Sequence, residues 1–343
     1  MNIIFRIVLF SSLLIFLTTG CTPEKDNNDS LALLLLGASA LTNNSAGDLR
    51  CQNKTLNWTV HDPAETNLWS AITYGDKFVA IATNGTNASM SSQDGITWTG
   101  HATSEVGSFV SIAYGSGRYV TISPSATVRV MSSPDGTTWT DGNPSSNIQW
   151  RGITYGNGQF VAVAANFTNQ VMTSPDGITW TGRTGVETNN WISIVYGADK
   201  YVAVAFGGTN RIMTSPDGIT WTAQTAPVGN TWISVAYGNG QFVALASGTS
   251  ANQLMTSSDG ITWTAQSATE ANSWSSVTYG NGLFVAVSSN GTNRVMTSQD
   301  GINWKAQVTP EQKTWSAITF GNNRFVAVSS DGGSSKVMTA SCE

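Results

Sequence analysis

Six aspartates recur at one place in a repeated decapeptide, and carboxylates in a fixed pattern are groups that bind metal ions or transfer protons. The decapeptide MTSPDGITWT occurs at residues 172–181 and again at residues 213–222, and four near-copies accompany it. Six copies of one active site in a single chain are not expected. We therefore interpret the carboxylates as structural turn residues that accept hydrogen bonds from nearby backbone N–H groups. They are Asp94, Asp135, Asp176, Asp217, Asp259 and Asp300.

Other catalytic chemistries lack the residues that they need. The two histidines, His61 and His101, each follow the last strand of a repeat, in different loops where we expect them to be exposed. A zinc site needs three or four ligands, and the sequence shows no such cluster. The chain has neither a G-x-S-x-G nucleophile motif nor a phosphate-binding glycine loop before a helix. The sequence predicts a protein that is not an enzyme and has no metal site and no cofactor.

Two aromatic residues interrupt the repeat. Phe167 in ANFTNQ and Phe206 in AFGGTNR occupy equivalent loops of neighbouring repeats. An exposed ring is a platform on which a sugar ring or an apolar side chain of a partner stacks. We expect a binding site here, formed by Phe167, Asn169, Gln170, Phe206, Asn210 and Arg211. Two alternatives stay open: the rings pack under their loops as local core, and the polar side chains serve turns or surface ion pairs.

A unit of 40–42 residues, which occurs seven times, positions all of these residues. Each unit contains four short segments rich in β-branched and aromatic residues: W-x-S-I-x-Y, F-V-A-V, x-V-M-T-S and I-T-W-T. YGNGQF between the first two holds an Asn-Gly pair suited to a tight hairpin, and SPDG is typical of a type I turn. The pattern predicts an all-β fold, a seven-bladed β-propeller with four antiparallel strands per blade. The first-strand aromatics are Trp69, Phe109, Trp150, Trp191, Trp232, Trp274 and Trp315.

Up-and-down strands divide the connections between two faces. The YGNG and SPDG turns share one face, here called the turn face; the loops before each first-strand aromatic and before each VM share the other, the loop face. The repeats differ little on the turn face and widely on the loop face, where binding sites on rigid scaffolds are usually found. Polar residues recur on the loop face at Asn87, Asn169, Asn210, Asn252 and Asn293 and at Glu65, Glu105, Glu187, Glu270 and Glu311.

The two ends of the repeat array complete each other. The seventh unit stops without its I-T-W-T strand, and TLNWTV around Trp58 supplies it, so we expect an N-terminal strand to close the last blade. The chain has three cysteines. If Cys21 carries lipid, Cys51 and Cys342 remain as one pair at the two ends of the array, and we expect a disulfide between them. The predicted propeller domain spans residues 51–343.

The motif S-P-D-G-I-T-W, with the W-x-S-I-x-Y-G-x-G-x-F-V-A-V repeat, resembles the Asp-box (BNR) β-propellers, a group that includes sialidases, sortilin-like receptors and photosystem-assembly-factor-like proteins. The resemblance covers residues 51–343 and departs from S-x-D-x-G-x-x-W by one residue. It implies that the box is a structural turn. The sialidase mechanism that it also implies lacks support, because every Tyr lies at a repeated position and the Phe-Arg-Ile-Pro motif is absent. Three arginines recur in alternate blades rather than together: Arg129, Arg211 and Arg294.

The N-terminal segment predicts export and a lipid anchor. Residues 1–20 have one early positive charge, an apolar run and then small residues before Cys21, as in a secretory signal peptide. LTTGC resembles a bacterial lipobox, although Thr18 stands where Leu is usual; the alternative is an ordinary cleaved signal. We expect Cys21 to be lipidated and residues 21–50 to form a flexible tether. Its apolar patch, LALLLLGASAL, is too short to span a bilayer and lies against either lipid or the domain.

Composition and export limit the functions that fit. Charged residues make up 11% of the chain and the formal net charge is −5, which disfavours nucleic-acid binding. We predict a monomeric, non-catalytic lipoprotein of the bacterial cell envelope, held at the outer membrane and either periplasmic or surface-exposed. Its loop face binds a glycan or a protein. The alternative is an assembly or docking factor for another envelope protein, and a sialidase-like glycosidase is the third hypothesis.

Overall fold

The computed structural model describes Cys51 and residues 56–165, 170–248, 252–334 and 336–342. All of them belong to one compact unit, Asp48–Glu343. The predicted signal peptide, the lipidation site Cys21 and the tether lie outside the described residues, as do Phe167 and Asn169. In the part of the chain that the structure describes, no helix has the length and apolar character to cross a membrane.

The described residues form 28 β-strands and no helix, which confirms the all-β prediction. The first fourteen strands are β1 (Thr59–His61), β2 (Trp69–Tyr74), β3 (Phe78–Ala82), β4 (Ser89–Ser92), β5 (Thr99–His101), β6 (Ser111–Gly115), β7 (Arg118–Ile122), β8 (Val130–Ser133), β9 (Thr140–Asp141), β10 (Trp150–Gly156), β11 (Gln159–Ala164), β12 (Val171–Ser174), β13 (Thr181–Arg183) and β14 (Trp191–Gly197). The others are β15 (Lys200–Ala205), β16 (Ile212–Ser215), β17 (Thr222–Gln224), β18 (Thr231–Gly238), β19 (Gln241–Ser247), β20 (Leu254–Ser257), β21 (Thr264–Gln266), β22 (Trp274–Gly280), β23 (Leu283–Ser288), β24 (Val295–Ser298), β25 (Lys305–Gln307), β26 (Trp315–Gly321), β27 (Arg324–Ser329) and β28 (Val337–Ser341).

These strands form seven four-stranded antiparallel sheets, the blades of a β-propeller, as the sequence predicts. In chain order, β2–β5 form blade 1, β6–β9 blade 2, β10–β13 blade 3, β14–β17 blade 4, β18–β21 blade 5 and β22–β25 blade 6. Blade 7 has the order β1-β28-β27-β26, so it combines strands from both ends of the described chain. The first strand of each blade lines a central cavity, and the fourth strand is the outer edge.

The hydrophobic core lies between adjacent blades. Val161 and Val163 of blade 3 pack in one cluster with Trp191 and Ala203 of blade 4. Second strands such as β15 have almost continuous apolar sequences because a neighbouring blade covers each of their faces, and five of the six residues of β15 are buried. The fourth strands have only two or three residues, none of them fully buried, so the unpaired outer edge of each sheet is short.

The hairpins on the turn face have the geometry that their sequences predict. In blade 3, Asn157 and Gly158 between the first two strands have φ values of 46° and 76°. Two consecutive residues with positive φ are characteristic of a type I′ turn, which matches the twist of the flanking strands. The same left-handed pair occurs at Asn239–Gly240 in blade 5 and at Asn281–Gly282 in blade 6.

A ring of glycine–aromatic contacts joins the blades near the turn face. Gly197 ends the first strand of blade 4 and lies under the ring of Tyr237 of blade 5; a Cβ atom on Gly197 would be 2.2 Å from Cγ of Tyr237. The same contact occurs at every blade junction, including that between Gly321 of blade 7 and Tyr74 of blade 1. The close approach of the next blade therefore requires glycine at this position. The contact between blades 7 and 1, which closes the ring, is of the same kind as the other six.

The closure of the ring confirms two predictions. Strand β1 pairs with β28 in antiparallel register, with Thr59 opposite Thr339. Cys51 and Cys342 form a disulfide with a Cα–Cα distance of 5.0 Å. Comparison of VMTASC (337–342) with VMTSPD (171–176) places Cys342 at the position that the turn aspartate holds in the other blades. A covalent bond therefore stands where blade 7 lacks the turn between its third and fourth strands.

Candidate functional site

The six aspartates of the decapeptide lie in the turns between the third and fourth strands of blades 1–6. In blade 4, Oδ1 of Asp217 accepts hydrogen bonds from the backbone N–H groups of Ile219 and Thr220, each at 2.8 Å. The hydroxyl of Ser215 donates a third bond to the same oxygen at 3.0 Å. The same three bonds, at 2.8–2.9 Å, recur at Asp94, Asp135, Asp176, Asp259 and Asp300.

These hydrogen bonds also set the protonation of the turn carboxyls. The backbone N–H groups of Thr220 and Ile219 hold the pKa of Asp217 below its usual value. Burial alone would raise the pKa of Asp300, but bonds from its turn outweigh burial and bring that pKa to about 2. Among the described residues, no three His, Cys, Asp or Glu side chains come together as a metal ion would require. The contacts support the interpretation of these aspartates as structural turn residues.

The two histidines differ from their expected placement in exposed loops. His61 ends strand β1 and His101 ends strand β5, and both are partly buried. His61 Nε2 lies 2.9 Å from Oγ1 of Thr339, and His101 Nε2 lies 2.8 Å from the hydroxyl of Ser91, each on the adjacent third strand. Burial lowers the pKa of both imidazoles. Gln224 makes the equivalent bond in blade 4, so the histidines serve a cross-strand contact that needs no imidazole.

On the loop face, the structure assigns Gln170 a role in joining blades. Its side chain is fully buried rather than exposed to a ligand. Its Nε2 donates to the backbone oxygen of Asn189 at 3.0 Å, and its Oε1 accepts a bond from the indole N–H of Trp191 at 2.9 Å. Equivalent residues link other junctions in the same way, because Gln253 donates to the backbone oxygen of Asn272 and Lys336 to that of Thr66.

Asn210 and Arg211 are likewise engaged within the protein. The side-chain amide of Asn210 donates to Glu187, and its backbone N–H donates to the same carboxylate at 3.1 Å. Nη1 of Arg211 donates to backbone oxygens of Gly229 and Asn230, in the loop that precedes blade 5. For these two residues and Gln170, the contacts favour the alternative that the polar side chains serve the loops.

Phe206 differs from the other described members of the predicted site. Its side chain is 50% exposed, so the ring does not pack under its loop as local core. The backbone beneath it is fixed, because its N–H donates to the oxygen of Asn190 at 2.8 Å. Bonds between Asn210 and Glu187 hold the flanking loops together at the same place. Phe206 is therefore an exposed aromatic ring on a well-supported loop.

A second feature of this propeller is the central cavity, of about 260 Å³, which the first strands of all seven blades line. Serine, alanine and isoleucine make up most of the lining, and among the described residues that form it Arg151 is the only charged one. Arg151 directly follows Trp150 at the beginning of β10, which places it at the end of the first strand nearest the loop face. In the part of the chain that the structure describes, no Asp or Glu contributes to the lining.

Arg151 has no compensating partner among the described residues. Its Nε atom is buried and has no hydrogen-bond acceptor, and the ion pair that the described residues contain is between Lys313 and Glu311. Burial lowers the pKa of the guanidinium, although an arginine remains protonated at neutral pH. The cavity thus contains a positive charge without a protein counter-charge.

Arg151 is not among the residues predicted for a site, although its departure from the repeat is visible in the sequence. The residue after the first-strand aromatic is Ser70 in blade 1, Ile192 in blade 4 and Ser316 in blade 7. Blade 3 alone has a charged residue there, in WRGITYG. The predicted site residues are aromatic or lie in loops, whereas Arg151 lies inside a strand.

No family model matches the chain, and no curated protein matches it. Solved structures share its fold: a streptogramin B lyase has 12% identity and a TM-score of 0.73, over 84% of this chain and 98% of that one. YCF48 bound to D1 peptide has 15% identity and a TM-score of 0.62, over 83% and 97%. The WD40 repeats of RRP9 have 8% identity and a TM-score of 0.63, over 84% and 98%. The chain is thus similar in architecture to propellers with different roles.

Proposed function

We propose that the protein is a non-catalytic, lipid-anchored β-propeller of the bacterial cell envelope whose loop face binds a protein or glycan ligand. The observation that carries the proposal is the half-exposed ring of Phe206 on a loop fixed by hydrogen bonds. An exposed aromatic side chain costs free energy in water and offers a large apolar contact to a ligand. The predicted export signal and the predicted lipidation of Cys21 are the reasons for proposing that this face lies in the cell envelope.

We propose a non-catalytic function because the side chains that could act in catalysis form hydrogen bonds within the scaffold. The turn carboxylates accept three local hydrogen bonds each, and the histidines contact hydroxyls of an adjacent strand. The same holds for two buried tyrosines, since the hydroxyl of Tyr201 donates to the backbone oxygen of Gly156 and that of Tyr119 to the backbone oxygen of Lys77. Each of these groups is explained by the scaffold.

A second candidate function is docking of another envelope protein during its assembly. It is favoured by the similarity in fold to YCF48, which has been solved with a bound D1 peptide. A docking factor would hold one protein through one larger patch, whereas a lectin would bind glycans weakly through several loops and gain strength from multivalency. The two candidates therefore differ in the ligand and in the size of the contact.

The test is ligand binding by the full-length protein in mild detergent, first on a glycan array and then against envelope proteins from the same cells. Phe206→Ala is the variant, and Val308→Ala is the matched control because Val308 is an exposed apolar residue of another loop, with 82% exposure. We expect binding to be lost in Phe206→Ala and kept in Val308→Ala. Equal binding by both variants would overturn the proposed site. Arg211→Ala is unsuitable, since Arg211 holds the neighbouring loop.

A further inference from the structure

We propose that the central cavity binds a small monocarboxylate, with its carboxylate on Arg151. This site is separate from the ring of Phe206, and the proposal does not depend on the function proposed for the loop face. The cavity volume of about 260 Å³ suits a small molecule rather than a folded segment. The lining provides one cation, several hydroxyl groups and apolar isoleucine side chains, and no carboxylate.

Without a ligand, Arg151 keeps a partly buried positive charge that no described side chain compensates. Its Nε atom is buried without an acceptor, and the cavity lining contains no Asp or Glu. Buried charges in proteins are generally paired, because removal of an ion from water is costly unless a counter-charge or hydrogen bonds compensate. A carboxylate is the group that best matches the planar donors of a guanidinium, through two parallel N–H···O bonds.

The fold does not need an arginine at the position after the first-strand aromatic. In blades 1, 6 and 7 the same position holds serine, and the hydroxyl of Ser70 donates to backbone oxygens of its own blade and of blade 2, at Ile81 and Phe109. Ser275 and Ser316 make the same pair of contacts. Blades 2, 4 and 5 have Val or Ile instead. Because the first strands of the six other blades fold around a small or apolar residue at this position, packing does not explain Arg151.

Serine hydroxyls also line the cavity one position further along several first strands. The hydroxyl oxygens of Ser193 and Ser234 accept hydrogen bonds from backbone N–H groups of the following blade, at 3.2 and 3.1 Å. Ser111, in the blade next to Arg151, accepts one from Ile153 at 3.3 Å. Among the described residues, none of these hydroxyls donates to a protein acceptor. Their hydrogens are therefore available to a second oxygen of an anion, while isoleucines such as Ile194 contact its apolar part.

The test follows the side-chain Nε–H resonance of Arg151 by NMR in the full-length protein, titrated with sodium butyrate at constant ionic strength. We expect a saturable shift. Affinity for butyrate should fall about tenfold or more in Arg151→Ser, the residue of blades 1, 6 and 7, as measured by calorimetry. Arg183→Gln is the control: it removes one positive charge and installs the residue found at the equivalent Gln224, so butyrate affinity should persist.

Each outcome decides the proposal. Equal butyrate affinity in Arg151→Ser and the wild type would overturn it, as would the absence of a saturable shift with butyrate, acetate and benzoate. A short peptide with a free carboxyl end that binds where butyrate does not would show that a peptide end, not a small molecule, is the source of the carboxylate. Arg151→Ile, the residue of blades 4 and 5, serves if Arg151→Ser does not fold. Without ligand, either variant should raise Tm, because a partly buried positive charge with no counter-charge among the described residues is removed.

Discussion

Strands end at both the turn face and the loop face, and the backbone N–H and C=O groups there need hydrogen-bond partners. The two faces supply these partners in different ways. On the turn face one solution is repeated, with an aspartate that accepts the same three hydrogen bonds in six blades. On the loop face, the side chain that donates to a backbone oxygen of the next blade's loop varies in type between junctions: Gln170 at one, Arg211 at the next, Lys336 at the ring closure. The unusual residues, Phe206 and Arg151, occur on or next to the loop face, where variation is tolerated.

The largest effect is expected where the repeated solution of the turn face is replaced by a disulfide. Cys51→Ser with Cys342→Ser should lower the free energy of unfolding by about 5 kcal/mol, because the bond closes a loop of 291 residues in the unfolded chain. The measurement is the guanidinium midpoint without reductant. Wild-type protein in strong reductant should approach the double variant. Equal midpoints for wild type and variant would show that β1 pairing alone secures the ring.

The next prediction compares two glycines that differ in their distance from a neighbouring blade. Gly197→Ala should lower the free energy of unfolding by about 2–3 kcal/mol, since the new Cβ would overlap the ring of Tyr237. Gly207→Ala, on the loop face, meets no atom closer than 3.9 Å and should change stability by less than about 0.5 kcal/mol. Urea unfolding of both variants checks this. A similar loss in both would mean that the two faces are equally tightly packed.

A smaller effect is expected for one turn aspartate. Asp217→Ala removes the acceptor of three bonds and should lower the free energy of unfolding by about 1 kcal/mol, as for loss of a helix N-cap. Asp259→Ala should cost the same within about 0.5 kcal/mol, and the two losses should add because the turns share no partner. Unequal costs in denaturant unfolding would contradict the view that the turn face repeats one solution.

The smallest effect is the pH dependence that a single turn contributes. The pKa of Asp300 is about 2 in the folded protein against 3.8 as its ordinary value, so its contribution to stability is present above pH 3.8 and lost as pH falls toward 2. Asp300→Asn should therefore flatten the fall in unfolding free energy over this window and leave the slope above pH 5 unchanged. Unfolding by urea at a series of pH values tests this. An unchanged slope between pH 4 and 2 would remove the turn carboxyl as a cause of acid sensitivity.

The features of this structure that can be predicted from the sequence are mainly those that the repeat specifies. Seven copies of one pattern predict the blade count, and the missing last strand predicts the pairing of β1 with β28. The departure of Phe206 from the pattern singles the residue out, but the sequence leaves open whether its ring is exposed or packed under the loop, and the structure shows it half exposed. The burial of Gln170 does not, because its partner is a backbone oxygen 19 residues away on the next blade, and a backbone oxygen has no residue type to recognise. The histidines were misplaced because strand ends cannot be located to one residue from pattern alone.

The disulfide also determines how the domain carries a mechanical load. A pull on the chain upstream of Cys51 reaches the sulfur–sulfur bond before it reaches β1, and the bond passes the force to Cys342 at the far end of β28. Without the bond, the same pull would peel β1 from β28 from one end, breaking its backbone pairs one at a time. With it, β1 is bypassed, and the force acts on β28, a strand paired on both sides within blade 7. A propeller held by its N-terminal end can therefore bear a pull without separation of β1 from β28, the strand pair that closes the ring.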